Sequence, residues 1–374
     1  MVYSEAKKKA AETLRKAGIE EAEVDAEYLL QYASGLERSL LFVKFQKEIP
    51  EEIEEKYQAL IERRCSHEPL QYIIGNQDFM GHTFIVTPDV LIPRFDTEIL
   101  AELAIKRAYK DVDNALRFCT QSGAGRSCIA GNDGFLELYR DNSGNSTYRI
   151  LDLCTGSGCV ATSVGLGVYA KICEHLCQNP NALCDSEKGR KCGLELLVTG
   201  ADISEEALKV ARKNWELNIS DIQTEKNLPI KTIEKINQED KNQKNGLVQI
   251  NAQFIKSDLF ESIEGRFHLI TANPPYIVRD EIETLMPEIT EHEPHLALDG
   301  GDDGMDFYRR IVKEAPNYLY PGGRLMMEFD DSQAEPVAKM MEEAGFIEIE
   351  VHRDLAHLRR VIEGKLQSEG RFSD

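Results

Sequence analysis

Apolar residues recur at helical spacing over the first seventy positions. Ala6, Ala10 and Leu14 share one face of a helix that Ser4 can cap and Gly18 can stop. Leu29, Leu30 and Ala33 mark a second helix that stops near Gly35, and Pro50 suits the first turn of a later one. That later helix carries Ile53, Tyr57, Leu60 and Ile61 at i, i+4, i+7 and i+8. Residues 1–73 therefore predict a small all-α domain with no catalytic cluster of its own. Over residues 74–100 the period changes to two. Phe84, Val86 and Val90 fall on alternating positions, with Gly81 and Pro88 as turn residues, which predicts a β-hairpin linker. The run from Leu91 to Glu98 then opens a helix through Leu100, Leu103 and Ile105.

From residue 149 strand and helix patterns alternate. Apolar runs at 149–154, 195–201, 252–257, 267–272, 324–329, 346–352 and 358–364 predict strands. Helical patterns fit at 159–177, 204–217, 304–318 and 332–344. This alternation predicts a doubly wound, mostly parallel α/β sheet spanning residues 101–374. The last two runs leave no room for a helix between them and predict an antiparallel pair at one edge, making a seven-stranded mixed sheet. Three polar stretches, at 109–147, 178–193 and 219–248, interrupt the pattern as insertions. The third, rich in Lys, Asn, Gln and Glu, predicts disorder.

Composition narrows the function. The 374-residue chain is 42% hydrophobic, enough for a sizeable core, and has no uninterrupted apolar run of the roughly 18 residues that a membrane helix needs. Met1–Lys7 lacks an apolar signal core, so the expected location is cytoplasmic. The net charge of −21 is opposite to that of a surface built to neutralise phosphates, which argues against nucleic acid as the main partner. Nine cysteines with no C-x-x-C pair read as reduced thiols. Cys173, Cys177, Cys184 and Cys192 cluster without a common zinc spacing, so no metal is expected. The histidines are scattered, and His292 and His295 read as surface or lid residues.

Four polar motifs each follow a predicted strand. Asp152-Leu153-Cys154-Thr155-Gly156-Ser157-Gly158 ends the first strand and opens a helix, whose free N–H groups and small residues let a ligand approach. It lacks the third spaced glycine of a dinucleotide site, which suits a smaller nucleoside-type cofactor. Asp202 ends the next strand, where a carboxylate can bind a ribose diol. Asp258 and Leu259 follow the third and could hold and cover an adenine ring. Asn273-Pro274-Pro275-Tyr276 follows the fourth. The Asn273 oxygen and a backbone carbonyl can each accept one N–H of a planar –NH₂ group, which turns the nitrogen lone pair outward. Proline fixes φ and removes a competing donor, and the Tyr276 ring can stack on the planar group. Motifs at the carboxyl ends of successive strands share one rim of an open sheet. Together they predict a Rossmann-like class I methyltransferase that uses S-adenosylmethionine to methylate an –NH₂ nitrogen. A Ser-His-Asp or Cys-His arrangement with supporting motifs is not evident.

The chain also resembles the release factor glutamine N5-methyltransferases, the HemK family. The match includes Asn273 to Ile277, Glu68-Pro69-Leu70-Gln71-Tyr72-Ile73-Ile74-Gly75, and Val90-Leu91-Ile92-Pro93-Arg94 with Asp96-Thr97-Glu98. It continues through Glu293-Pro294, Ala297-Leu298, Gly300-Gly301, Gly304, Asp306 to Arg310, and Pro321-Gly322-Gly323. The resemblance implies that the substrate is the glutamine of the Gly-Gly-Gln loop in class 1 peptide chain release factors, with residues 1–73 helping to dock it. It implies that Cys154, Thr155, Gly156, Ser157, Gly158, Asp202 and Leu259 bind the cofactor, with Asp258 and Asn273 also lining its site, and that Asn273, Pro274, Pro275 and Tyr276 hold the glutamine amide. Cys154 departs from a usual glycine, and Glu328-Phe329-Asp330 from a usual Glu-Ile-Gly. The alternatives are a glutamine of a ribosomal protein, an adenine-N6 DNA methyltransferase, or a non-catalytic binding protein that retains the fold. The DNA enzyme is disfavoured by charge and by the lack of a basic target-recognition domain.

Overall fold

The computed structural model describes residues 1–121, 139–140, 146–179, 184–185, 190–191, 193–223 and 248–367. Most of the three expected insertions, including the stretch expected to be disordered, lies outside them. The helix that opens at Glu98 continues to Gln121, into the first of these stretches. Its buried stripe runs on through Ala104, Ala108 and Val112, so the helical pattern outlasts the point at which the sequence turns polar.

The chain divides into two compact units, Met1–Gln77 with Ile85–Ile92 and Asp280–His295, and Asp78–Phe84 with Pro93–Arg279 and Leu296–Asp374. The first contains helices α1 (Tyr3–Lys16), α2 (Ala22–Ser34), α3 (Arg38–Lys44), α4 (Glu51–Cys65) and α5 (Leu70–Ile74). Ser4 does not cap α1, because the helix already begins at Tyr3. The N–H groups of Tyr3 and Ser4 donate instead to the carbonyls of Lys47 and Phe45, which satisfies two of the helix's orphan donors. Leu14, Leu29, Leu30, Leu60 and Ile61 form the core. The buried Tyr57 hydroxyl donates to the Ala26 carbonyl at 2.8 Å.

A two-stranded hairpin, Asn76–Phe79 and His82–Ile85, turns through Met80 and Gly81, both at positive φ. This is what a two-residue hairpin turn that matches strand twist requires.

The second unit is built on one sheet. Its strands are β1 (Ser146–Leu153), β2 (Leu194–Asp202), β3 (Val248–Lys256), β4 (Phe267–Ala272), β5 (Leu319–Glu328), β6 (Phe346–Arg353) and β7 (Arg359–Leu366). Their order is β6-β7-β5-β4-β1-β2-β3, and a two-residue strand, Tyr139–Arg140, adds to β1. β3, β2, β1, β4 and β5 run parallel, and β7 is antiparallel to both β5 and β6. The expected antiparallel pair is therefore at the edge, with β7 inside and β6 outermost. Alternate residues on the central strands face opposite cores. Ile150, Leu269 and Met326 join the core of α6 (Glu98–Gln121) and α7 (Cys159–Gln178). Leu151, Ile270 and Leu325 join that of α9 (Asp306–Tyr318) and α10 (Ala334–Glu343), while α8 (Glu205–Gln223) connects β2 towards β3. The sheet thus carries helices on both faces, and β4 is buried along its whole length, as a central parallel strand must be.

Arg64 of the first unit is buried together with Asp25. Its Nε donates to Asp25 at 2.6 Å, Nη1 to the Glu68 carbonyl at 3.2 Å, and Nη2 to Glu288. Burial pushes the Asp25 carboxyl up, and Arg64 opposes that shift. Removing the guanidinium would leave Asp25 in the core without its counter-charge. Arg64→Ala is therefore expected to cost about 3–5 kcal/mol of stability. A denaturant titration checks this, and a loss below about 1 kcal/mol would be the cost of a solvated pair instead.

Candidate active site

The parallel registers bring the strand ends level. Leu153 lies opposite Ala201 on one side and Ala272 on the other, Ala272 lies opposite Met327, and Asp202 opposite Lys256. The residues at or just past these positions are Cys154, Asp202, Ser257, Asn273 and Glu328. All therefore sit on the carboxyl rim, around the β1/β4 junction where the strand order reverses.

The turn after β1 is held from below by Asp152. This buried carboxylate accepts from the Thr155 hydroxyl at 2.6 Å and the Thr271 hydroxyl at 2.7 Å, which ties the turn to β4. Burial pushes Asp152 up to about 6 against those two hydrogen bonds, and Asp202 adds to the rise. The Thr155 N–H donates to the Ala201 carbonyl, and Gly158 N–H to Thr155. Gly156 and Gly158 have φ of 53° and 76°, and Cys154 shares the left-handed region at 55°. For an L-residue with a Cβ, that conformation costs on the order of 1 kcal/mol. Cys154 therefore holds a left-handed position without glycine's conformational freedom. Burial pushes its thiol well above the ordinary value, and Asp202, Asp152 and Asp258 reinforce the shift. Ser157 is buried, and its carbonyl accepts from Asn214 Nδ2 at 2.9 Å.

Asp202 accepts the Gly156 N–H on one oxygen and the Ser204 N–H on the other, each at 2.9 Å. Burial raises its pKa while these backbone donors hold it down. The Ser204 hydroxyl accepts the Ala207 N–H and so caps α8. After β3, the Ser257 hydroxyl donates to the Leu259 carbonyl at 2.8 Å, and Leu259 is buried at φ 50°. The Asp258 carboxylate pairs with Arg310 at 2.8 Å.

After β4, Pro274 and Pro275 are buried and Tyr276 is half-buried. Asn273 Nδ2 donates to Thr97 Oγ1 at 3.2 Å. Glu328 lies within hydrogen-bond reach of both Thr97 and Asn273. The Tyr276 carbonyl accepts from Gln333 Nε2 at 3.0 Å, and the same amide donates to the Gly304 carbonyl. A Cβ on Gly304, which sits at φ 71°, would stand 2.5 Å from the Tyr276 oxygen, so only glycine fits there. The Ile277 N–H donates to Leu298, and Gly300 N–H to Ile277, which pins the segment along its far side.

The rim thus brings together the residues expected from the sequence, and it adds Thr97, Glu328, Gln333 and Arg310. Thr97 and Glu328 lay inside recognisable motifs, but no spacing links residues 231 positions apart. Gln333 had no sequence signal. His292 and His295 belong to the first unit, their Nε2 atoms 3.2 Å from the Ser66 and Thr290 carbonyls. Among the described residues Glu350, His352 and Glu363 could surround a metal ion. Arg107 and Arg324 already neutralise the buried Glu363, and with His352 they hold its carboxyl down to about 2 against the cost of burial. That charge set suits an ion-pair network within the protein.

Residues 5–75 match a family model described as the PrmC N-terminal domain, and residues 197–327 one described as Eco57I restriction-modification methylase. The release factor glutamine methyltransferase of Geobacter sulfurreducens is 34% identical over 355 residues, covering 94% of this chain and 93% of the relative. That of Thermodesulfovibrio yellowstonii is 34% identical over 316 residues, covering 84% and 82%. The bifunctional methyltransferase of Rickettsia typhi is 32% identical over 356 residues, 95% of this chain but 55% of the relative, so the chain spans about half the length of that protein. With two relatives matched at this identity along nearly their whole length, the chain belongs to the release factor glutamine methyltransferase family.

Proposed function

We propose that this protein transfers a methyl group from S-adenosylmethionine to the side-chain amide nitrogen of the glutamine in the Gly-Gly-Gln loop of class 1 peptide chain release factors. The observation that carries the reading is Asn273-Pro274-Pro275-Tyr276 at the switch point of the sheet, with the donor end of Asn273 engaged by Thr97. The opposite end of that amide, Oδ1, is an acceptor, and so is the Pro274 carbonyl. Between them they take the two N–H groups of a glutamine amide and turn its lone pair outward. The Tyr276 ring stacks on the amide plane.

The residues of the β1 turn fit a nucleoside cofactor. Above Gly156, no heavy atom of the described residues stands within 4 Å of where a Cβ would be. Asp202 retains lone pairs for a ribose diol after accepting its two backbone N–H groups. Ile203, nearly half exposed, and Leu259 offer apolar cover for a base. When bound, S-adenosylmethionine supplies an electrophilic methyl on a positively charged sulfur. Held beside Asn273, it would give that methyl to the amide nitrogen, with the S–C electron pair staying on sulfur and the amide proton passing to a carbonyl or to water. The protein's part is then to position and to stabilise charge.

The Eco57I match favours a second reading, adenine-N6 methylation of DNA, since a planar –NH₂ is held in the same way. Against it stand the near full-length relatives and the net charge of −21.

Three outcomes are expected. With labelled S-adenosylmethionine, label should reach a recombinant class 1 release factor but neither its Gln→Ala variant in the Gly-Gly-Gln loop nor duplex DNA. Label on DNA alone would establish the second reading. Asn273→Ala should bind the cofactor with an unchanged thermal shift yet lose about 100-fold or more in turnover. Near-normal turnover there would remove Asn273 from the mechanism. The first unit is proposed to help capture the release factor through α3, where Leu40, Phe42 and Val43 are exposed. Phe42→Glu with Val43→Glu should raise KM for the factor by about tenfold, leaving cofactor binding as it was. Equal loss of both would assign α3 a structural role.

A further inference from the structure

We propose that Thr97 and Glu328 are positioning residues that decide which end of the Asn273 side chain faces the substrate. This rests on the reading of Asn273 as acceptor for the substrate amide. An ionised carboxylate only accepts hydrogen bonds, whereas a hydroxyl both donates and accepts. With Glu328 ionised, the Thr97 hydroxyl gives its hydrogen to Glu328 and its lone pair receives Asn273 Nδ2–H, the contact seen at 3.2 Å. Asn273 Nδ2 is in reach of Glu328 as well. Every partner on this side of Asn273 therefore demands a donor, and Oδ1 is turned to the substrate. Protonating Glu328 removes the demand. The carboxyl then donates, the Thr97 hydroxyl can reverse, and the flipped Asn273 would present N–H to N–H.

The burial of Glu328 gives this clamp its sensitivity. Its side chain is sealed in the sheet, and Oε2 is buried with no hydrogen-bond partner among the described residues. The ionised form is thus under-satisfied and pulls hard on the donors it has. The groups facing it are Arg360, which favours the ionised form, Asp96, which opposes it, the Tyr276 and Tyr308 phenols, and the Cys159 thiol. The Tyr308 hydroxyl donates to the backbone carbonyl of Glu328 at 2.9 Å, not to its carboxylate. Burial, against the hydrogen bonds and Arg360, pushes Glu328 up to about 7. The ionised, productive form is then lost as pH falls through about 7, so turnover should rise with pH across that range.

The test compares Thr97→Val, Thr97→Ser and Glu328→Gln with the wild-type chain. It reads kcat and KM for the release factor from pH 6 to 8.5, and cofactor binding by thermal shift. Thr97→Val is expected to lose about 10- to 100-fold in kcat with cofactor binding retained, and Thr97→Ser to recover most of it. Glu328→Gln, which can donate at any pH, should lower kcat and abolish the rise through neutrality. Thr97→Val within twofold of wild type, or an unchanged pH limb in Glu328→Gln, overturns the clamp. If Glu328→Gln does not fold, the nearly isosteric Thr97 pair alone decides. Should Asn273→Ala itself keep its turnover, the acceptor reading fails. A silent Thr97→Val beside an inactive Asn273→Ala sinks only the clamp.

Discussion

The register of β1 against both β2 and β4 is the constraint on which the site depends. Parallel strands are tied by evenly spaced hydrogen bonds, and a slip of one residue would turn every side chain to the opposite face. Leu153 stands opposite both Ala201 and Ala272, so the first residues beyond β1 and β4 emerge side by side. Asp152 reinforces this with side-chain bonds, holding Thr155 and Thr271 on its two oxygens. A buried carboxylate costs stability unless it is hydrogen-bonded, and here the donors that satisfy it are the ones that join the turn after β1 to the strand leading into Asn273. The same interaction makes Asp152 tolerable in the core and aligns the two halves of the rim.

Two of the six non-glycine residues at positive φ among the described residues stand at the same edge. Cys154 and Leu259 both adopt positive φ without being glycine, each beside an anchored group. Leu259 is fixed by the Ser257 hydroxyl on its own carbonyl, and Cys154 lies between the last β1 pair and the Thr155–Ala201 bond. Such conformations persist where the surroundings over-determine them. Cys154 is held in the left-handed region by the bonds on either side of it.

Much of this was legible in the sequence because it depends on local period and on order along the chain. The central strands read clearly since β4 carries Phe267, Leu269, Ile270 and Ala272 in six residues, and the short spacing between residues 352 and 358 leaves no room for a crossover helix within the final pair. The four rim motifs could be placed together because each follows a strand in the same direction. Ser4 was misread because the donors at the start of α1 are satisfied by carbonyls some forty residues away. α6 runs into the first polar stretch because its buried stripe continues through Ala108 and Val112, which turn-rich composition beyond residue 109 conceals. Thr97, Glu328 and Gln333 reach the site only through tertiary packing, and no periodicity joins Thr97 on the approach to α6 with Glu328 at the end of β5.

A reaction that needs no strong acid or base puts its demands on geometry, and the construction behind Tyr276 follows from that. Two prolines fix φ through the segment, and the carbonyl of Tyr276 is held by Gln333. Gly304 and Gly300 let the following loop approach within contact distance, and that loop pairs with Ile277. On the other side, Thr97 Oγ1 accepts from the Asn273 amide at 3.2 Å. The segment is therefore restrained from both sides by groups that do not react. A planar amide offers little nucleophilicity, so an error of about an ångström in the acceptors that aim its lone pair would cost more rate than most side-chain chemistry could restore. On the proposed reading of Asn273, the rigidity of this segment is the larger part of what the protein supplies to the reaction.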